Sequence, residues 1–155
     1  MDHQEIPLSE TVLTLTPNLQ SPQPVTDRYM LLPVEEGFSW QNCFSAIDAG
    51  EWYLVVFRCK HRPDADEALL THLDAFAGAA ARLTPGFLYY FPGTPAPTGE
   101  CLSFCLWTDQ QAARAGASHP SHRDAMSRGV AFYEYYDLER HQIRKQDGHL
   151  IFVRL

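Results

Sequence analysis

Three observations on this 155-residue chain predict an α+β fold in the order β-α-β-β-α-β. Two stretches, Glu51–Lys60 (EWYLVVFRCK) and Glu100–Trp107 (ECLSFCLW), are apolar at both alternating positions, the pattern of strands buried on both faces. Each precedes a helix-start signal and an alanine-rich segment. Proline and glycine clusters then mark turns at intervals suited to a single domain.

Residues 1–50 read as an N-terminal extension to a domain spanning 51–155. Pro7, Pro17, Pro22, Pro24 and Pro33 limit any strand there to a short or edge one, at Thr11–Thr16 or Tyr29–Leu32. Phe38, Trp40, Phe44 and Ile47 are too apolar for a solvated tail, so the extension is expected to pack on the domain or on a partner subunit.

The first strand ends at His61-Arg62-Pro63, and Asp64 with Glu67 three residues on suggests a helix N-cap. Leu69, Leu73, Phe76, Ala77 and Ala80 recur at helical spacing through Arg82, and Thr84-Pro85-Gly86 stops the helix. Phe87–Phe91 is a short second strand and Glu100–Trp107 the third. Thr108, with Gln111 at N3, caps a helix through Ala115 that must break before Pro120. Pro120 suits the first turn of a further helix and Gly129 its stop. Val130–Lys145 is a long fourth strand, Gln146-Asp147-Gly148 a turn, and His149–Leu155 a fifth strand paired back on the fourth. The order is that of the ferredoxin-like split βαβ arrangement, with one extra C-terminal strand. Helices on one face leave the other bare. Trp52, Leu54, Val56, Leu102, Phe104 and Leu106 would then expose an apolar patch too large for a monomer, which predicts a homodimer through the open sheet face.

Composition excludes several partners. A formal charge of −7 disfavours nucleic acid and anionic membrane surfaces. No apolar run is long enough to span a membrane, and MDHQEIPLSE lacks the pattern of a secretory signal, so a cytoplasmic protein is expected. Cys43, Cys59, Cys101 and Cys105 lie in or beside apolar runs without a C-x-x-C. They read as buried thiols rather than disulfides or metal ligands.

A third strand ending in Ser103-Phe104-Cys105-Leu106-Trp107-Thr108, then Ala112-Ala113-Arg114-Ala115 and a His119-Pro120-Ser121-His122 break, resembles the antibiotic biosynthesis monooxygenase-like family of dimeric α+β barrels. Thr84-Pro85-Gly86-Phe87 also looks like the turn before that family's second strand. The resemblance covers about residues 51–145. It implies the dimeric barrel and a site between helices and sheet. The family includes haem-degrading enzymes, but the positions here that match their Asn, Trp and His are Phe57, Gly116, and Ala125 or Met126, which disfavours haem. Its cofactor-independent oxygenases imply no cofactor.

His119 and His122, three apart, are the candidate catalytic residues; with no third ligand in view, a general base fits better than a metal. Tyr53, Phe57, Tyr89, Trp107 and Tyr133 are the candidate pocket wall, suited to a flat apolar ligand. Arg58, on the opposite parity, is expected to pair with Glu134 or Asp137. The function these residues and the resemblance imply is a cofactor-independent monooxygenase acting on a small aromatic or polyketide-like compound. The alternative is a non-catalytic, small-molecule-binding or stress-linked dimer.

Overall fold

A computed structural model describes residues 18–155. The expected strand Thr11–Thr16 lies outside the described residues. Five strands form one antiparallel sheet in the order β2-β3-β1-β4-β5: β1 Gly50–His61, β2 Phe87–Phe91, β3 Glu100–Trp107, β4 Tyr133–Gln146 and β5 His149–Arg154. This is the ferredoxin-like order with β5 added at the edge beyond β4. Asp147 (φ 52°) and Gly148 (φ 77°) make the tight β4–β5 turn, a two-residue hairpin in which both positions take positive φ.

Helices α3 (Glu67–Arg82), α4 (Gln110–Ala117) and α5 (Pro120–Gly129) cover the face carrying Tyr53, Val55, Phe57 and Cys59. Two helix starts fall later than the sequence suggests. Ala65 N–H donates to the Arg62 carbonyl (3.0 Å), closing a turn through Pro63 and Asp64, so Asp66 becomes the cap and accepts from Leu69 N–H (3.0 Å). Thr108 belongs to the preceding turn, its N–H donating to the Gly86 carbonyl (2.9 Å), and Asp109 caps α4, accepting from Ala112 N–H (2.8 Å). The core stripe of α3 is also rotated: Leu70, Leu73 and Ala80 are buried, while Phe76 is 57% exposed.

The opposite face is not bare. The chain's own N-terminal segment closes it, which removes the argument for a dimer through an open face. A 3-10 turn at Tyr29–Leu31, where an edge strand was expected, leads into short helices α1 (Val34–Gly37) and α2 (Trp40–Cys43). Their side chains Met30, Val34, Phe38, Trp40, Cys43 and Phe44 are buried against Trp52, Leu54, Val56, Leu102, Phe104, Leu106 and Ile143. Phe44 lies 4.2 Å from Trp52 between ring centroids, and Phe38 meets Phe104 edge-on at 4.9 Å. Trp40 satisfies its buried indole N–H on the Val34 carbonyl (2.8 Å).

Two strand cations fasten the cover. Arg58 donates to the carbonyls of Met30 (2.9 Å) and Leu32 (2.6 Å), and Lys145 Nζ to that of Phe44 (2.7 Å). Arg58 also pairs with Glu139, two to five residues beyond the expected Glu134 or Asp137. Burial separates the candidates: Glu139 stands opposite Val56 under the cover and is 8% exposed, whereas Asp137, directly opposite Arg58, is exposed and Glu134 pairs with Lys60 (3.4 Å). Burial pushes the Glu139 carboxyl up, but Arg58 and His141 outweigh it and hold it below the ordinary value. A depressed carboxylate pKa adds stability that is complete above the unfolded-state value and is lost as pH falls through the folded one. Arg58→Met should therefore cost about 3 kcal/mol in a denaturant melt, since it strands Glu139. Glu139→Gln should remove the part of acid unfolding that this pair carries. An unchanged Arg58→Met midpoint would show that the pair and its carbonyl contacts fasten nothing.

Candidate functional site

Between the sheet and its three helices lie two adjoining chambers of about 100 and about 350 Å³. They exist because the inward face of α3 carries Ala77, Gly78 and Ala81, where larger side chains would fill the gap to native density. Phe57, Ala81, Cys105 and His122 line both chambers. The larger is floored by Tyr53, Phe57 and Trp107 and edged by Arg114 and Arg140. Gly116 lets α4 lie on Trp107, since a Cβ there would sit 2.4 Å from the indole.

The smaller chamber holds the polar groups. Tyr90 donates its hydroxyl to Asp74, which α3 places beside Leu70, Leu73 and Ala77. Burial pushes both groups up, and the neighbouring Asp74 charge drives Tyr90 further, well above its ordinary value. Burial likewise raises Tyr133 and Tyr136, so both remain hydroxyl donors at neutral pH. His122 moves the other way: burial lowers it from 6.5, so its imidazole is neutral at pH 7 and free to accept a proton. It lies 6.5 Å from Phe57 between ring centroids, in the wall shared by the chambers.

The sequence-predicted residues separate accordingly. Tyr53, Phe57, Trp107, Tyr133 and His122 line the chambers. His119 does not; it is exposed and caps α5, its Nδ1 accepting from Ser121 N–H (3.1 Å). Tyr89 does not either. The β2–β3 register slips between Phe87 and Tyr89, which turns Tyr89 onto the covered face beside Phe104 and presents Tyr90 to the chamber. Asp74, Tyr90, Tyr136, Arg114 and Arg140 were missed. Asp74 left a signal as a carboxylate within the apolar stripe of α3, and Tyr90 and Tyr136 left one as members of the dense aromatic set of β2 and β4.

Fold and site together define a ferredoxin-like α+β protein with an aromatic-floored chamber between sheet and helices. The chain belongs to the PB2B2.08-like family, whose sequence profile matches residues 2–153. No curated protein matches it. Among solved structures it is similar to Rv0793 of Mycobacterium tuberculosis (21% identity, TM-score 0.50, covering 57% of this chain and 91% of that one). It is also similar to a candidate antibiotic biosynthesis monooxygenase of Caulobacter crescentus (17% identity, TM-score 0.52, covering 59% and 88%). A third is a candidate monooxygenase of Lactobacillus acidophilus (12% identity, TM-score 0.53, covering 67% and 50%). The fold is thus that of the antibiotic biosynthesis monooxygenase structures. Among the described residues no helix is long and apolar enough to cross a membrane.

Proposed function

We propose that this protein is a cofactor-independent monooxygenase that oxidises a small phenolic aromatic, the class that includes polyketide-like compounds. The observation that carries the reading is a neutral, half-buried imidazole, His122, in the shared wall of a chamber floored by Tyr53, Phe57 and Trp107. The flat ring lies on these aromatics. His122 takes the phenol proton, and Arg114 and Arg140 stabilise the phenolate that forms. The phenolate is the reductant: it passes electrons to dioxygen, one oxygen atom stays on the ring carbon as a new carbonyl, and the other leaves as water. Phenol and dioxygen give quinone and water, and no outside electron donor enters the balance. The protein's part is orientation and proton transfer. Four buried, unpaired thiols support a reducing, cytoplasmic setting. Where a second copy binds, the surface open to it is the strip of Leu138, Ile151, Val153 and Leu155, not the covered face.

Oxygen consumption with a panel of dihydroxynaphthalenes and related phenols tests the reading. The expected result is uptake of one dioxygen per quinone formed without added metal or flavin. Tight binding with no uptake would leave the chamber as a carrier site, the non-catalytic alternative. Access is tested with 8-anilinonaphthalene-1-sulfonate, an aromatic anion of fitting size. Ala81→Leu narrows both chambers at their shared wall and should weaken the dye by tenfold or more while leaving the melting temperature level or raised. Undiminished dye binding would place the ligand elsewhere.

A further inference from the structure

A second constellation lies on the helix-facing side of the sheet, at the far end of β1. Cys59 stands directly across from Cys101 in the β1–β3 register, and His61 follows Cys59 by two residues. Positions i and i+2 of a strand share a face, and an opposed pair on adjacent strands brings its side chains together. The two thiols and an imidazole nitrogen of His61 lie within 4.8 Å of one another. Both cysteines are under 10% exposed and unpaired.

Glu67 completes the arrangement. Its two carboxylate oxygens lie 2.9 and 3.0 Å from His61 Nδ1. A carboxylate only accepts, so the imidazole proton sits on Nδ1 and the Nε2 lone pair is left for another partner. A carboxylate that fixes a histidine through one ring nitrogen is the usual support of a metal-bound imidazole. Packing alone would ask for small apolar groups here. It does not call for two opposed thiols with an oriented imidazole beside them.

We propose that Cys59, Cys101 and His61 bind a thiophilic divalent cation of the zinc class, with Glu67 positioning His61. Zinc–sulfur bonds of about 2.3 Å give a tetrahedral edge of roughly 3.8 Å, so the three ligand atoms need close by no more than about 1 Å. Three protein ligands leave the fourth position to water. The ion would tie β1 to β3 beside Tyr133, whose ring stands edge-on to His61 at 5.3 Å and lines the smaller chamber. The site is thus placed to hold that chamber's end wall. It stands independently of the oxygenase reading.

The test uses the full chain, reduced, treated with chelator and kept anaerobic, then titrated with Co²⁺ and Zn²⁺. About one equivalent should bind per chain, with a thiolate-to-cobalt charge-transfer band and a raised melting temperature. Cys59→Ser and Cys101→Ser should each abolish the band, while Cys43→Ser and Cys105→Ser keep it. Because a core serine can impair folding, two further readouts bear on the same point. Glu67→Gln alters an exposed side chain and should weaken Zn²⁺ by 10- to 100-fold. Zn²⁺ should also shield Cys59 and Cys101, and not Cys43 or Cys105, from alkylation in the intact protein. No uptake by the native chain, uptake indifferent to Glu67, or equal alkylation with and without Zn²⁺ would each overturn the site.

Discussion

A chain that starts at residue 46 should melt far below the intact protein and self-associate. Deletion of 1–45 removes Tyr29, Met30, Val34, Phe38, Trp40, Cys43 and Phe44 from the larger core and bares Trp52, Leu54, Val56, Leu102, Phe104, Leu106 and Ile143. It also takes the Met30, Leu32 and Phe44 carbonyls from Arg58 and Lys145, two cations with little solvent to fall back on. Phe44→Ala gives the scale. The ring is fully buried and packs at a tilt against Trp52, and emptying such a site costs about 3–5 kcal/mol. A whole domain is commonly stable by only about 5–15 kcal/mol, so removing every covering side chain at once exceeds what the sheet and helices can bear alone. Thermal melts and light scattering after gel filtration read the result. A truncated monomer with an unchanged melting temperature would contradict the packing described above. A stable truncated dimer would show that a second copy can take the cover's place.

The same surface shows why part of the fold was legible in the sequence and part was not. Apolar residues at both parities of Glu51–Lys60 and Glu100–Trp107 announce strands covered twice, and they are. The strands carry no record of what does the covering. The extension's own Phe38, Trp40 and Phe44 marked it as a packed segment, but choosing between its own domain and another subunit depends on contacts such as Phe44 on Trp52 and Arg58 on the Met30 carbonyl. Those contacts join residues distant in sequence, and no local pattern encodes them. Tyr89 failed for a different reason: strict alternation assigns faces correctly only while the register holds, and one slip in β2 exchanges Tyr89 for Tyr90. The helix caps failed by one and two residues because Asp64, Asp66, Thr108 and Asp109 are all competent caps. Where each preceding turn ends decides between them, and the bonds that mark those turns, Ala65 N–H to Arg62 and Thr108 N–H to Gly86, are turn or tertiary features. His122 and His119 look alike in sequence. Only the start of α5 at Pro120 separates them, turning one outward as a cap and the other inward to the chamber.

That separation sets the largest expected effect on activity. His122→Asn should lower the turnover of oxygen-consuming phenol oxidation by about 100- to 10,000-fold, the range of a lost general base. Affinity for 8-anilinonaphthalene-1-sulfonate should stay within a fewfold, because the aromatic floor and Arg114 and Arg140 remain. His119→Asn should change neither, since asparagine also caps a helix. The pH profile supplies a check that a merely structural role would not pass. A base works when unprotonated, and burial lowers His122 below the ordinary 6.5, so the acid limb of kcat/KM should fall at a pH below that value. In His122→Ala the limb should vanish with the rate, and added imidazole should restore part of the turnover through the space left in the shared wall. Two results would sink the assignment: full turnover in His122→Asn, or an acid limb that survives the substitution unchanged. Either would mean that the proton leaves by another route, for which the Asp74–Tyr90 pair is the group at hand, and Asp74→Asn would then carry the loss.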